Sequence, residues 1–337
     1  MNNTLPKAAI VLETCNEIRI YPPAIRRELD AICQVVVDNC PKEDLARRAA
    51  ELAEVRFLFT GWGPPRLDAA TLAHFPKLEA VFYGAGTIKD VVCDDFWAAG
   101  LPICSAWAAN AVPVAEFTFA QIILALKQVH RFKAFLQTAR NGERPPHFAS
   151  GGTFGTTVGL ISLGQIGGRV ASLLRQLDVH VLAYDPYCSP AAAQKLGLEL
   201  VGSLAELFAR SRVVSLHAPI KPETIGMITG ELIAALPPGG ALINTARGIL
   251  VREAELIAVM RERPDLTAIL DVVHPEPAPA DSPLYDLPNV FLTPHIAGSE
   301  GGECARMGRY MVDECRRFLG GEPLQWQVTR EAYARMA

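Results

Sequence analysis

Apolar residues in this chain alternate between short continuous runs and longer stretches in which they recur at helical spacing. Runs at 8–12, 35–38, 55–60, 78–83 and 101–104 read as strands, and the segments between them, such as 44–53, have helical composition. Strand and helix in regular alternation predict a parallel α/β sheet. A second alternation begins near Thr157, with strands expected at 157–163, 180–185, 212–216, 241–244, 268–271 and 290–293. Between the two halves, 114–139 has no Gly or Pro and keeps helical spacing, which predicts one long helix carrying the chain from the first half into the second. The breaker-rich loop at 141–146 and Gly151-Gly152 then end it. The stretch 301–319 also reads as a helix and follows the last strand of the second half. As the chain's return, it is expected to pack on the first domain and make that domain discontinuous.

A length of 337 residues favours two domains, and a composition that is 50% hydrophobic and 20% charged permits large buried cores. The net charge of −4 offers no basic field for a phosphate backbone, so nucleic acid is not an expected partner. Eight cysteines are scattered without a CxxC pair or metal-ligand spacing, which fits a reducing, cytoplasmic setting and no metal. No charged region followed by a long apolar stretch opens the chain, so the Asn2-Asn3-Thr4 glycosylation pattern carries little weight. No run approaches the roughly 18 apolar residues of a membrane-spanning helix, so no membrane is expected.

The apolar segment from Thr157 breaks at Ser162-Leu163-Gly164-Gln165-Ile166-Gly167 into a helical pattern. Small residues there let the backbone approach a pyrophosphate, and a helix N-terminus offers unpaired N–H groups. Ser162 stands where such a turn usually has its first glycine, so the turn must either tolerate negative φ or carry some strain. The next strand ends at Asp185, about 20 residues on, where a carboxylate can accept from ribose hydroxyls and would repel a 2′-phosphate. NAD is therefore expected over NADP. Without the turn, Asp185 would read as a turn residue before Pro186.

Reduction of a 2-keto acid needs a cation to fix the carboxylate and polarise the carbonyl, and a proton donor for the developing alkoxide. Arg247 follows a strand ending at Asn244 and can project its planar fork from that strand end. His295 lies after Phe291-Leu292-Thr293-Pro294, and Glu276, between Pro275 and Pro277, can orient it through the other ring nitrogen. In isolation these would read as a surface ion-pair arginine, a structural histidine and a solvated glutamate. Their ordered occurrence with the glycine-rich turn favours chemistry.

The chain resembles the D-isomer-specific 2-hydroxyacid dehydrogenase family over nearly its whole length. The resemblance takes in Asn110, Val114-Ala115-Glu116, Ser215-Leu216-His217-Ala218-Pro219, Asn244-Thr245-Ala246-Arg247-Gly248, Asp271, Glu276-Pro277 and Thr293-Pro294-His295. It implies two Rossmann-like parallel-sheet domains, a doubly wound NAD-binding domain at 110–296 inserted into a discontinuous substrate-binding domain at 1–109 plus 297–337. It further implies a cleft that closes on hydride transfer and a homodimer joined through the cofactor domains. By the same resemblance Arg247, Glu276 and His295 are the catalytic residues. Gly164, Gln165, Ile166, Asp185, His217, Ala218, Pro219, Thr245, Ala246, Arg247, Asp271, His295 and Gly298 would line the cofactor, with Asp271 toward the nicotinamide carboxamide. Gly84, Ala85 and Gly86, with Arg247, would bind the substrate carboxylate. Two departures from the family pattern stand out: Ser162, and Thr87-Ile88-Lys89-Asp90 after the carboxylate loop in place of the family's more usual acidic-amide pair.

Several residues have no settled reading. His217 is as readily a packing residue as a chemical one. Trp62 and Trp107 could wall a pocket or simply pack, and Tyr83 and Lys89 could read the far end of a substrate. His74, His130 and His147 show no partner pattern. A rival function is an NAD(H)-sensing dimeric interaction protein without turnover; a formate dehydrogenase-like activity is disfavoured because that group pairs its histidine with glutamine, where this chain has Glu276. No regulatory module is expected after the C-terminal helix, which weakens a feedback-controlled phosphoglycerate dehydrogenase. The acid's side chain is left open among glyoxylate, hydroxypyruvate, phosphoglycerate, lactate-like and sugar-derived acids.

Overall fold

The computed structural model describes residues 5–140, 142–143 and 151–336. The loop at 141–146, apart from Gly142 and Glu143, lies outside the described residues, as do His147 and Asn2-Asn3-Thr4. The chain divides into two compact units, Met1–Ala111 with Ser299–Ala337, and Val112–Gly298.

The first unit is built on β1 (Lys7–Val11), β2 (Gln34–Cys40), β3 (Phe57–Thr60), β4 (Ala80–Tyr83) and β5 (Ile103–Ser105), in the order β2-β1-β3-β4-β5. All pairings are parallel. Alternate residues of each strand feed separate cores: Ala8, Ile10, Phe57, Phe59 and Phe82 on one face, and Ala9, Val11, Leu58, Val81 and Tyr83 on the other. A sheet covered on both faces needs apolar residues at nearly every position, which is why its strands appear as continuous runs. The helix Cys304–Leu319 belongs to this unit, and its Met307, Met311 and Cys315 join the first of those cores.

The second unit contains β6 (Thr156–Ile161), β7 (Val179–Tyr184), β8 (Glu199–Leu200), β9 (Val213–Leu216), β10 (Ala241–Asn244), β11 (Thr267–Leu270) and β12 (Val290–Leu292). Their order, β12-β11-β10-β9-β6-β7-β8, runs outward in both directions from the β6/β9 pair, so the sheet is doubly wound. Ligands of such sheets bind beyond the strands' carboxyl ends at this change of direction. Every strand expected from the sequence is present, within one or two residues at its ends; β8, only two residues long, is additional.

Three expectations need correction. The single helix at 114–139 is two helices, Trp107–Leu126 and Val129–Ala139, separated where Gln128 takes a left-handed φ of 54°. The segment 44–53 holds only the 3₁₀ turns Lys42–Asp44 and Ala46–Arg48 and the short helix Ala49–Leu52. The Trp107–Leu126 helix is also long and apolar enough to cross a membrane by length and composition, with mean hydropathy 1.5, although half of that stretch is buried inside the protein. Burial supplies the ordinary reason for such a composition, since a helix covered by neighbours has no polar face to present. The eight cysteines are free thiols. Among the described residues no group of three or more His, Cys, Asp or Glu side chains could hold a metal.

Candidate active site

At the end of β6 the chain turns through Ser162, whose φ of 73° places a non-glycine residue in the left-handed region. Of the two alternatives for this turn, the strained one is found, at a cost of about 1 kcal/mol. The Ser162 N–H donates to Tyr184 O at 2.9 Å and the Leu163 N–H to Asp185 Oδ2 at 2.7 Å, so the neighbouring strand β7 holds the turn in shape. The helix Gln165–Leu174 then starts with Gly164 as its N-cap. A Cβ on Gly164 would meet nothing within 4 Å, whereas one on Gly167 would sit 2.1 Å from Ser162 O. Gly167 therefore lets the helix close onto the strand, and Gly164 leaves open space in front of unpaired N–H groups. This is the cradle a pyrophosphate needs.

Asp185 accepts from Leu163 N–H at one carboxylate oxygen and from Tyr187 N–H, at 2.8 Å, at the other. Each oxygen keeps capacity for a further donor, as ribose hydroxyls require. After β9, His217 is 9% exposed, with Nε2 3.0 Å from Ser215 Oγ and Nδ1 without a partner. Burial pushes its pKa down to about 3. Ala218 is buried, the Pro219 carbonyl accepts from the Thr224 hydroxyl at 2.7 Å, and Thr245 shares a 2.8 Å hydroxyl contact with Thr118.

The side chains expected to carry the chemistry follow the ends of β10, β11 and β12. Asn244 closes the first of these ends: its Oδ1 accepts from Ala246 N–H at 3.0 Å and its Nδ2 donates to Arg247 O at 2.9 Å. Gly248 lies so close to the Val273–His274 backbone that a Cβ would fall 2.0 Å from Val273 C and O. That contact fixes Arg247 beside the loop carrying Glu276. Burial lowers the pKa of the Arg247 guanidinium and the Glu276 carboxylate nearby raises it. The group stays cationic in any physiological range. Arg247 Nη1 also donates to Ala246 O at 2.6 Å.

His295 Nδ1 lies 2.5 Å from Glu276 Oε1, and both side chains are well exposed. Like Ser162, His295 has a positive φ, 55°. The buried Asp271 holds it there. Its carboxylate accepts from the Thr293 hydroxyl at 2.6 Å and from the Ile296 and Ala297 N–H groups at 2.9 Å each, and its carbonyl accepts from the His295 N–H at 3.0 Å. Arg247, Glu276 and His295 thus converge, with Glu276 bonded to the histidine and in the field of the arginine. Sequence reasoning named Asn244, Thr293 and Ser215 only as members of longer motifs and gave them no role at the site. Small polar residues within or just beyond apolar strands are the signal that could have found them.

In the five-stranded unit, Gly84, Ala85 and Gly86 follow β4. Ser105 on β5 donates its hydroxyl to Ala85 O at 3.0 Å and Gly86 O at 2.5 Å. In a planar trans peptide the N–H points opposite to the C=O, so the Gly86 and Thr87 N–H groups face away from Ser105. Gly84 needs its lack of a side chain, since a Cβ would come within 2.8 Å of Ile20 Cγ2 and 2.9 Å of Tyr21 Oη. Lys89 is engaged elsewhere, donating to Tyr333 O at 2.8 Å and lying over the Tyr333 ring. Trp62 lies under the Arg19 guanidinium and Trp107 packs edge-on against Trp326. His130 contacts Gln121 and stacks near Phe291.

The family model for "D-isomer specific 2-hydroxyacid dehydrogenase, NAD binding domain" matches residues 119–297, more than half of the chain. The chain belongs to this family. Its second unit is accordingly an NAD-binding domain, and the Gly164 cradle fits that cofactor. The D-3-phosphoglycerate dehydrogenase of Mycobacterium leprae is 38% identical over 256 residues, 76% of this chain and 48% of that protein. The chain spans about half the length of the phosphoglycerate dehydrogenases it matches first. The (S)-sulfolactate dehydrogenase of Chromohalobacter salexigens is 35% identical over 296 residues, 87% of this chain and 94% of that one. Among solved structures, the NAD-complexed D-isomer specific 2-hydroxyacid dehydrogenase of Lactobacillus delbrueckii ssp. bulgaricus shares the fold, with TM-score 0.81, 20% identity, and coverage of 96% of this chain and 100% of that one.

Proposed function

We propose that this chain interconverts a D-2-hydroxy acid and its 2-keto acid with NAD(H), His295 serving as acid and base. The observation that carries the reading is the joining of His295 to Glu276 within the field of Arg247. Glu276 engages Nδ1, which leaves Nε2 as the nitrogen that meets the substrate oxygen. In the reducing direction His295 gives its proton to the carbonyl oxygen; in the oxidising direction it takes one from the hydroxyl. Arg247 holds the carboxylate and polarises the carbonyl. The 84–86 loop is the proposed carboxylate-binding loop of the five-stranded unit, on the support of its oriented N–H groups.

Gly164, Gln165 and Ile166 would hold the pyrophosphate, Asp185 the adenosine ribose, and Thr245, Ala246 and Ala218 would line the rest of the cofactor. When bound, the reduced nicotinamide supplies the hydride. Asp271 sets the backbone from which His295 projects, and the fourth acceptor position of its carboxylate is available to a carboxamide. Eight free thiols support a cytoplasmic protein, and the family resemblance supports a homodimer, which sedimentation would test.

The deciding experiment follows NADH consumption with keto acids and NADH formation with 3-phosphoglycerate, sulfolactate, glycerate and lactate. The first two are the acids in the names of the two relatives. Turnover of one of them, lost in the His295→Ala variant, is expected. NADH binding without turnover on any acid would replace the enzyme reading with the sensing one.

A further inference from the structure

The 84–86 loop is gripped on both sides, and both grips lead to the same segment of chain. On the near side, Ser105 Oγ lies 3.0 Å from Ala85 O and 2.5 Å from Gly86 O. The Ser105 N–H donates in turn to Trp326 O at 3.1 Å and the Val328 N–H to Ile103 O at 2.9 Å, so 326–328 runs antiparallel along β5, the end strand of its sheet. That segment is itself anchored: the Trp326 N–H donates to Oε2 of the buried Glu314 at 2.9 Å. On the far side of the loop, Ile88 is fully buried. Lys89 Nζ donates to Tyr333 O at 2.8 Å and lies 4.3 Å from the centre of the Tyr333 ring.

Tyr333 belongs to the short helix Arg330–Arg335. Its side chain and that of Ala332 pack against the core that contains Ile88, and the Tyr333 ring tilts against Trp97 at 5.5 Å. The last carbonyls of a helix lack partners within it, so an ammonium group there meets both an acceptor and the negative end of the helix dipole. Lys89 is half-buried, and its charge is committed to the C-terminal segment rather than offered to a ligand.

We propose that Lys89 is a positioning residue and that 326–333 is a brace, which together set the Ala85 and Gly86 peptide planes for the substrate carboxylate. This rests on the reading of the 84–86 loop as the carboxylate site and excludes contact between Lys89 and the far end of the acid. In a loop held on one side only, the peptide planes keep rotational freedom that binding must remove. The brace removes it before the substrate arrives. Such an effect falls equally on ground state and transition state, so it acts on KM and leaves kcat.

Lys89→Met keeps the length of the side chain and removes the ammonium. It is expected to raise KM about fivefold for every acid that is turned over, and by the same factor the inhibition constant of oxamate, which has the carboxylate but no far end. The kcat and the NADH dissociation constant should stay within about twofold, and Lys89→Arg, which keeps a cation and a donor, should restore KM to a similar margin. Tyr333→Ala should raise KM less, and the double variant should be no worse than Lys89→Met alone, because both changes break one link. A rise in KM confined to acids with an anionic far end, with oxamate unaffected, would make Lys89 a substrate contact and overturn the brace. An unchanged KM in Lys89→Met, or additive losses in the double variant, would overturn it as well. A parent chain that turns over no acid would instead remove the dehydrogenase reading, and backbone ¹⁵N relaxation then decides the brace. The order parameters of Ala85 and Gly86 should fall in Lys89→Met and hold in Lys89→Arg, and equal values in all three chains would overturn it.

Discussion

Two strand ends of the same sheet solve the same backbone problem differently. After β6 and after β12 the chain reverses through a non-glycine residue at positive φ, Ser162 at 73° and His295 at 55°. The His295 turn is held by a buried carboxylate that accepts three hydrogen bonds from it, and by the Asp271 carbonyl. The Ser162 turn has two backbone donations to the end of β7, one to a carbonyl and one to the partly exposed Asp185. An unfavourable conformation persists where surroundings over-determine it. The support is heavier at the turn that presents the side chain of the proposed acid/base step, whereas no chemistry is proposed for the serine.

Four changes would break or sharpen this contrast. The largest effect is expected from His295→Ala, which should reduce turnover by about 10³-fold while leaving the NADH dissociation constant within about threefold, read by steady-state kinetics and fluorescence titration. Retained turnover would take His295 out of the reaction. Next, Asp271→Ala should destabilise the fold by about 3 kcal/mol, because two N–H groups and a hydroxyl lose their acceptor together. Urea unfolding measures this, and a loss under 1 kcal/mol would mean that the turn holds itself.

The third change is one of pH. With the pKa of His217 pushed from 6.5 to about 3 in the folded protein, the unfolded chain binds the extra proton first as pH falls. This contribution to stability is therefore complete above about pH 6.5 and is lost progressively toward pH 3, by about 2 kcal/mol at pH 5. His217→Asn should flatten the unfolding free energy across that window. A parent and variant with parallel pH profiles would show that the imidazole is hydrated. The smallest effect belongs to Ser162→Gly, which should add about 1 kcal/mol of stability by relieving the left-handed serine, visible as a higher Tm. A lower Tm would mean that the serine side chain supports the turn.

Much of this was legible before the structure. Strands buried on both faces of a parallel sheet cannot hide their apolar runs, so all eleven expected strands are present. The two-residue β8 is too short to leave a pattern. The break at Gln128 escaped because neither Gly nor Pro marks it. Strain at Ser162 could be anticipated from a missing glycine, and Arg247, Glu276 and His295 from motif order. The bonds that give these residues their geometry could not. Asp271 reaches residues 22, 25 and 26 positions away, and the imidazole of His217 meets a hydroxyl two residues back through Nε2 and, through Cδ2, the helix that begins after β6. Side-chain identity can be read along the chain; bonding partners brought together by the winding of the sheet cannot.

The seat of Gly248 against Val273 and His274 has a mechanical consequence. Even a methyl group at that position would have to displace main chain, so the end of β10 and the loop bearing Glu276 are welded into one piece. The backbones that carry the guanidinium and the carboxylate cannot separate without a main-chain movement at this joint. Saturation mutagenesis at position 248 should return glycine and nothing else.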